Sequence, residues 1–409
     1  MSFLNESQRR TVFQKLVATT ASKFADPAMN GVPWARFAEE AESSIVKSVT
    51  ADEYEQKTNE LLQRLGTSHI GFFQGARPRS PGRIAIAATV MKAETVDGWR
   101  WMFQDVHPGG LAANAGIKPG DVLLKLNSEE IVPPNVASFA LAMDHEATIR
   151  RADGTTMKAR MSVPASQSKK RPLIVPTQVV NSRRIDNGIG YISVSMFPGM
   201  LGIDVARDIS QAIASLSAER LVIDLRGNSG GGIGCLRLMS HLCADKRGVG
   251  YTFGRVQIEK GLSKESLPTF DKIPASKLGI IPLIIKFGLA GRSVSVFSEG
   301  LGPATHHGRV AMLVNEHSAS ASEMVAAFAS EYKLAHIVGT QTPGKLVAAS
   351  SFKVGHGYRV ALPVGAYYTW KGTKLEGRGI VPDTVQPLKP EDLLKGQDPQ
   401  LTRALQILM

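Results

Sequence analysis

The sequence is poor in cysteine, with only Cys235 and Cys243 among its 409 residues. The two lie eight positions apart in a stretch with helical spacing. That spacing would separate them by roughly 12 Å, too far for a disulfide within one helix. No metal-ligand pattern surrounds them. The pair therefore argues against a disulfide-stapled fold and favours a reducing compartment.

Long apolar runs are also missing, whereas a membrane-spanning helix needs about 18 or more consecutive apolar residues. The strongest candidate, residues 278–289, is short and contains Pro282 and Lys286. The first ten residues lack the apolar segment of a secretory signal. We therefore expect a cytoplasmic protein without stable membrane insertion. Whether residues 278–289 form a flap that touches a membrane or a substrate stays open.

Dense clusters of basic residues are rare, although 48 Lys and Arg against 36 Asp and Glu give a net charge of +12. The densest cluster is Lys169-Lys170-Arg171, and the other basic residues are scattered. A nucleic-acid site needs basic residues concentrated on one face. We therefore expect a solvated basic surface and no nucleic-acid partner. Hydrophobic residues make up 43% of the chain, typical of an ordinary globular protein.

Three textures follow one another along the chain and predict three domains. Residues 1–75 show apolar positions at helical spacing, with a capping box from Thr50 to Glu53. Residues 83–165 read as short strands. Residues 172–409 alternate strands with helices, which favours a mostly parallel sheet covered by helices. The predicted fold class is thus multidomain α/β, with a helical N-terminal segment, a β-rich module and a sheet-centred core.

Within the β-rich module, residues 109–127 form the most informative run. An alanine-rich helix ends at Gly116, a Pro-Gly-Asp turn reverses the chain, and an alternating strand follows. Arg83–Ala87 reads as a strand, and we expect the module to contain one long helix. The run resembles the signature of PDZ domains, which bind peptide ends.

Three motifs of the core carry candidate chemistry. The first runs from the buried strand Leu221–Leu225 into the glycine-rich turn 226–232, where no Gly-Lys-Ser/Thr follows to hold a nucleotide phosphate. Backbone N–H groups at such a turn suit an oxyanion. The second places Ser320 between a strand and a helix, where serine is also a favoured N-cap. The third ends in Lys345 after a Thr-Pro-Gly turn, and a lysine there acts as a base only where burial makes it neutral.

Taken in order, these motifs resemble those of the C-terminal processing peptidases, also called tail-specific proteases. The segments Leu375–Asp383 and Gln397–Leu401 resemble two further motifs of the family. The resemblance runs from about residue 8 to residue 405. It implies a serine peptidase without a cofactor or metal, which cleaves proteins near a free C-terminus that its PDZ domain captures. Homo-oligomerisation stays open.

The resemblance also implies roles for individual residues. Ser320 is the nucleophile and Lys345 the general base of a Ser-Lys dyad. The oxyanion hole takes the backbone N–H of Ala321 and one from Gly230 or Gly231. Peptide binding in the PDZ module is assigned to a short segment, namely Arg83, Ile84, Ala85 and Ile86. Two positions depart from the family pattern: Ala349 replaces a glutamine that orients the base, and Glu331 replaces an aspartate.

Two other readings stay open. A histidine base in place of Lys345 is the first, and the candidates are His306, His307, His317 and His356. The spacing of these histidines offers no acid partner. A metal site at the adjacent residues His306 and His307 is a weaker alternative, because neighbouring side chains point in different directions and cannot easily bind one ion. The second reading is a non-catalytic protein of the same fold that binds peptides or hydrophobic ligands.

Overall fold

The computed structural model describes residues 3–75, 82–165, 178–185, 188–199, 202–261, 263–274, 279 and 293–409, with only the backbone at positions 82 and 83. The flap candidate 278–289 and the start of the predicted core at 172 therefore lie outside the described residues, apart from position 279. No helix of the described residues is long and apolar enough to cross a membrane.

The described α-helices are α1 Glu6–Lys23, α2 Trp34–Val46, α3 Ala51–Gln63, α4 Gly82–Ile86, α5 Leu111–Asn114, α6 Ile203–Leu216, α7 Cys235–Ser240, α8 Arg255–Lys260, α9 Ala321–Glu331, α10 Pro390–Leu394 and α11 Pro399–Leu408. The strands are β1 Gly71–Gln74, β2 Ala88–Thr95, β3 Gly98–Val106, β4 Val122–Leu126, β5 Glu129–Glu130, β6 Met143–Arg150, β7 Thr156–Val163, β8 Val180–Ile185, β9 Ile189–Val194, β10 Arg220–Asp224, β11 Gly248–Gly254, β12 Thr269–Phe270, β13 Val294–Phe297, β14 Arg309–Val314, β15 His336–Gly339, β16 Val347–Gly355, β17 Tyr358–Thr369 and β18 Thr384–Val385.

The chain divides into two compact units, each assembled from separate stretches of sequence. The first comprises Met1–Pro78, Arg247–Ser298 and Gly344–Gly379. The second comprises Arg79–Lys246, Glu299–Pro343 and Ile380–Met409. The predicted boundaries of three consecutive domains stay a prediction.

The first unit packs helices α1 to α3 against a sheet with strand order β1-β17-β11-β13-β12, in which β16 also pairs with β17. The predicted cap at Thr50 is present, since its side chain accepts a hydrogen bond from the N–H of Glu53 at 3.1 Å. An aromatic cluster joins helices to sheet, with the Phe72 ring stacked on Tyr358 at 4.9 Å. The burial of these rings is a main source of apolar stabilisation in this unit.

One strand prediction places its residues in the wrong kind of sheet. The alternation of strands and helices predicts a mostly parallel sheet within residues 172–409, and residues Tyr358–Thr369 lie in that range. They form β17, which pairs antiparallel with β1, β11 and β16. The hairpin of β16 and β17 explains this difference, because a turn at residues 355–357 returns the chain directly to an antiparallel neighbour.

The β-rich module of the second unit, which is predicted to be a PDZ domain, is an antiparallel sheet with strand order β2-β3-β4-β6-β7, with β5 paired to β4. Two predictions for this module are wrong. Arg83–Ala87 is not a strand, because residues 82–86 form helix α4. The expected long helix is also missing from residues 82–165, where α4 and α5 are the only helices. Pro133 and Pro134 disfavour a helix in the loop after β5, since proline lacks an N–H and restricts the residue before it.

The second sheet of this unit has strand order β18-β15-β14-β10-β9-β8 and carries the turn that contains Ser320. All its pairs are parallel except the edge pair of β8 and β9. The inner strands β10 and β14 are buried apart from their first residues and carry mostly apolar side chains, as expected for strands covered on both faces. Ala404 and Leu408 of the C-terminal helix α11 cover one face. The predicted α/β fold is confirmed.

Candidate active site

Ser320 lies in a strained turn between strand β14 and helix α9. Its backbone has φ 57° and ψ −117°, a region that a residue with a Cβ atom rarely adopts. In α/β-hydrolases, a strained turn between a strand and a helix lifts the nucleophile above the sheet. The Ser320 side chain is half-buried, while the residues directly around it, Ala319 and Ala321, are buried. The turn therefore leaves the Ser320 hydroxyl partly accessible, although the residues on both sides of it are buried.

A buried glutamate fastens this turn to its surroundings. Glu323 has no exposed surface, and its Oε2 accepts a hydrogen bond from the Ser320 N–H at 3.0 Å. Its Oε1 accepts a hydrogen bond from the Thr342 hydroxyl at 2.7 Å. The sequence analysis missed Glu323, although the Ser-x-x-Glu spacing is a recognised helix-start pattern that would have found it.

Asn228 organises the glycine-rich turn that follows β10. Its side-chain N–H donates to the Val194 carbonyl at 2.7 Å, and its Oδ1 accepts from the Gly230 N–H at 2.8 Å. Its backbone carbonyl accepts from the Ala319 N–H at 2.9 Å. One fully buried asparagine thus holds the glycine turn against the serine turn.

Gly230 packs directly against the serine turn. A Cβ atom on Gly230 would lie 2.6 Å from the Ser320 Cβ and 2.9 Å from the Ala321 nitrogen, so only glycine leaves that space open. The Gly230 N–H is already bonded to Asn228. Among the described residues, nothing accepts a hydrogen bond from the N–H groups of Ala321 or Gly231. Ala321 and Gly231 are therefore the amides of this turn pair that remain available for an oxyanion.

Lys345 belongs to the first compact unit of the chain. Its side chain is exposed, in contrast to the apolar pocket expected for a lysine base. The turn around it is firmly held. The Gly377 N–H donates to the Gly344 carbonyl at 2.8 Å, and the Leu346 N–H donates to Glu376 Oε2 at 2.8 Å.

Glu376 connects that lysine turn to the N-terminal segment. Besides Leu346, it accepts hydrogen bonds from the Ser68 N–H at 2.6 Å and the Thr67 hydroxyl at 3.1 Å. The Glu-Gly motif that begins at Glu376 thus holds the backbone on either side of Lys345. Sequence reasoning recognised this motif without giving it a role.

The two departures from the family pattern lie in regular structure. Ala349 is exposed on β16, opposite Pro363 of β17. Glu331 is the last residue of helix α9. At position 349, a methyl group takes the place of the expected amide.

A buried ionic cluster accounts for two further motifs. The Arg226 guanidinium donates to Asp224 at 2.6 Å and, through both terminal nitrogens, to Asp398 at 2.9 and 2.8 Å. Arg226 also donates to Gln400 at 3.1 Å, and the Tyr191 hydroxyl donates to Asp224 at 2.7 Å. Burial acts to raise the pKa of Asp224, but the facing guanidinium of Arg226 holds that pKa below its usual value. The Asp-Leu-Arg and Asp-x-Gln-Leu motifs therefore serve mainly to join β10 to the C-terminal helix.

The histidines offer little support for a histidine base. His317 is the candidate nearest to Ser320 in sequence, and its Nε2 has no hydrogen-bond partner among the described residues. That nitrogen lies 3.9 Å from Glu316 Oε1, a carboxylate that spacing alone had not suggested. Burial lowers the pKa of His306. His356 is exposed in the turn between β16 and β17.

The predicted peptide-binding segment contributes in part to an apolar cavity of the PDZ module. This cavity measures 380 Å³ and is lined by Ile86 together with Ala88, Thr89, Val90, Trp101, Phe103, Leu123, Val136, Ala137, Phe139 and His317. Ile84 is half-buried, and Ala85 is buried in the module's core. The side chain of Arg83 lies outside the described residues. Of the three residues of this segment whose side chains are described, Ile86 lines the cavity.

Comparison with known families agrees with this geometry. Residues 188–386 match the model of peptidase family S41, and residues 102–150 match a PDZ domain model. The core of this chain is therefore similar to peptidase family S41. The predicted family resemblance is confirmed, and the PDZ match lies inside the predicted β-rich module.

Individual relatives carry related names. The carboxy-terminal processing protease CtpA of Bacillus subtilis is 28% identical over 281 residues, covering 67% of this chain and 50% of that protein. The carboxyl-terminal-processing protease of a Picosynechococcus species is 26% identical over 290 residues, covering 69% and 60%. A solved structure of mature CPAF complexed with lactacystin shares the fold, with a TM-score of 0.59, 15% identity, and 98% and 97% of the two chains covered. The chain spans between 31% and 60% of the length of the first curated relatives it matches.

Proposed function

We propose that this protein is a serine peptidase that cleaves protein substrates near their free C-termini through an acyl-enzyme on Ser320. The observation that carries the proposal is the strained Ser320 turn, against which Gly230 packs, together with the Ala321 and Gly231 N–H groups, which bond to nothing among the described residues. A structural serine at a helix start has no need of a φ of 57°, since N-caps ordinarily have extended backbone. The family match and the named relatives point the same way.

The chemistry follows from these groups. The Ser320 hydroxyl oxygen attacks the carbonyl carbon of the scissile peptide and gives up its proton to a base. The negative charge that develops on the carbonyl oxygen accepts hydrogen bonds from the Ala321 and Gly231 amides. The carbon–nitrogen bond then breaks, and the base returns the proton to the leaving amine. Water hydrolyses the resulting ester by the same steps and regenerates the serine.

Lys345 is the base in this proposal. The assignment rests on the place of Lys345 in the Thr-Pro-Gly-Lys motif. It also rests on the two hydrogen bonds that hold the turn on either side of the lysine, one with Gly377 and one with Glu376. A base must return to the same position in each turnover, and a turn held on both sides restricts the lysine's backbone.

The PDZ module captures the substrate tail. Strand β2 is at the edge of its sheet in the described strand order, so an extended peptide can add beside it. The 380 Å³ cavity near that strand is lined mostly by apolar side chains and suits a hydrophobic residue of the tail. Substrates with an apolar C-terminal residue should therefore bind best.

The test is cleavage of an unstructured protein such as casein by the purified chain, with the products identified by mass spectrometry. Ser320→Ala and Lys345→Ala should each lower turnover by about four orders of magnitude or more. Lys345→Arg should be equally inactive, because a guanidinium does not release its proton in proteins. The matched control is Lys353→Ala, an exposed lysine of the same unit on β16, which should cleave normally.

Two outcomes would contradict the proposal in different ways. Normal cleavage by Lys345→Ala, with loss of activity on replacing His306, His307, His317 or His356, would replace the dyad with a histidine base. A wild-type chain that binds C-terminal peptides and cleaves none would support the non-catalytic binding protein instead.

A further inference from the structure

A residue of the PDZ module reaches into the turns of the candidate active site. Asp105 lies near the end of strand β3. Its Oδ2 accepts a hydrogen bond at 2.9 Å from the side-chain N–H of Asn315, the first residue after β14. Asn315 has no exposed surface, so its side-chain amide must find its hydrogen-bond partners within the protein.

The other end of the Asn315 amide holds both active-site loops. Its Oδ1 accepts from the Gly227 N–H at 3.0 Å, in the glycine-rich turn. The same oxygen accepts from the His317 N–H at 3.1 Å, in the segment that leads to Ser320. One carbonyl oxygen therefore sets the spacing between the loop that carries Gly231 and the loop that carries the nucleophile.

The orientation of that amide depends on Asp105. The oxygen and nitrogen ends of an asparagine amide are nearly equal in shape, so sterics alone do not distinguish them. In the opposite orientation, the amide nitrogen would face the Gly227 and His317 N–H groups, donor against donor. A carboxylate can only accept, so Asp105 selects the orientation in which Asn315 donates to it.

Asp105 is itself held by the strand that borders the PDZ cavity. The Thr89 hydroxyl donates to Asp105 Oδ2, and the Asp105 N–H donates to the Thr89 hydroxyl at 3.2 Å. Thr89 belongs to β2 and lines the apolar cavity, as does His317. The polar chain from Thr89 through Asp105 and Asn315 to the His317 N–H thus begins and ends at residues that line the cavity.

We propose that Asp105 is a positioning residue that the PDZ module supplies to the peptidase site, where it acts through Asn315 to fix the glycine-rich turn relative to Ser320. The expected effect on kcat rests on the proposed peptidase function, whereas the positioning role itself does not. In this role Asp105 acts through Asn315 and not directly on the substrate. Its loss should therefore lower kcat more than it raises KM.

The test uses an exchange of the two side chains in the full chain. Asn315→Asp places a second carboxylate against Asp105, and Asp105→Ala removes the acceptor. Each should lower kcat by about 10- to 100-fold, as expected when a buried polar group loses its partner. In the double variant Asp105→Asn with Asn315→Asp, the amide donates from position 105 and the carboxylate accepts from Gly227 and His317. We expect kcat to recover to within about threefold of wild type.

The matched control breaks a neighbouring bond between the same two segments. Gln104 precedes Asp105 and donates to Glu316 at 2.8 Å, and its side chain has no hydrogen bond to Asn315 among the described residues. Gln104→Ala should leave kcat within about twofold of wild type. An equal loss in Gln104→Ala, or a double variant as slow as Asn315→Asp, would overturn the inference.

A second readout separates this inference from the proposed function. Amide hydrogen exchange of residues 226–232 and 315–323 should be faster in Asn315→Asp and return to the wild-type rate in the double variant. If the wild type cleaves nothing but this exchange pattern appears, the proposed function fails and the positioning role stands. If exchange in both loops is unchanged by Asn315→Asp, the positioning role fails whatever the activity.

Discussion

Adding a single methyl group at Gly230 should greatly reduce catalysis while leaving the protein folded. Its φ of +91° already favours glycine. A Cβ atom there would lie 2.6 Å from both the Ala319 carbonyl oxygen and the Ser320 Cβ, and 2.9 Å from the Ala321 nitrogen. Two of these atoms are backbone and the third is fixed to it, so no side-chain rotation relieves the overlap. In Gly230→Ala the serine turn has to move away.

The expected size of the effect follows from these distances. Carbon atoms in contact are ordinarily about 3.5 Å or more apart, so the turn must shift by about 1 Å. A displacement of that size at a reacting group costs about 100-fold in rate. Loss of an oxyanion donor costs about 100- to 1,000-fold. We therefore expect kcat to fall by about 100- to 1,000-fold, with a loss of about 1–3 kcal/mol in the free energy of unfolding.

The assay compares turnover on casein and urea unfolding for Gly230→Ala and a matched control, Gly154→Ala. Gly154 belongs to the same unit and has a φ of +83°, but no atom lies within 4 Å of its added Cβ. Gly154→Ala should lose about 1–2 kcal/mol of stability from backbone strain alone and keep wild-type turnover. A folded Gly230→Ala protein with wild-type turnover would refute the placement of the oxyanion site.

Three further outcomes follow from the buried groups. Arg226→Met should lower the free energy of unfolding by about 3–5 kcal/mol in urea titrations, because it leaves Asp224 buried without its partner cation; a loss below about 1 kcal/mol would contradict this. Since the folded-state pKa of Asp224 is lowered, the stability it contributes is present above its unfolded pKa of about 3.9 and is lost as the pH falls below it. The gap in unfolding free energy between wild type and Asp224→Asn should therefore narrow from pH 7 to pH 3, and a constant gap would argue against an ionised Asp224. Burial raises the pKa of Cys235 to about 12, so iodoacetamide at pH 8 should label it in urea-unfolded protein and not in native protein, whereas rapid native labelling would contradict its burial.

Features that depend on near neighbours in the chain could be predicted from the sequence alone. Strands β10 and β14 follow from their short apolar runs, and the cap at Thr50 follows from a three-residue spacing. The combined motifs also identified the family and the fold. Such patterns are readable because helix and strand periodicity, caps and turns are all set by residues within about four positions of one another. The prolines after β5 could have warned against a long PDZ helix, and the Ser-x-x-Glu pattern could have indicated Glu323.

The contacts between residues far apart in the chain could not be predicted from the sequence and became visible only in the folded structure. Arg226 and Asp398 are 172 positions apart, and Asn315 and Asp105 are 210 apart. Neither pair can be read from one sequence, because a polar side chain shows what it can bond but not what the fold brings to it. The same holds for β17, whose apolar residues would suit either a parallel or an antiparallel neighbour. Strand pairing and buried polar contacts depend on how the layers of the fold pack together. In this protein those contacts explain what the sequence motifs do in the structure.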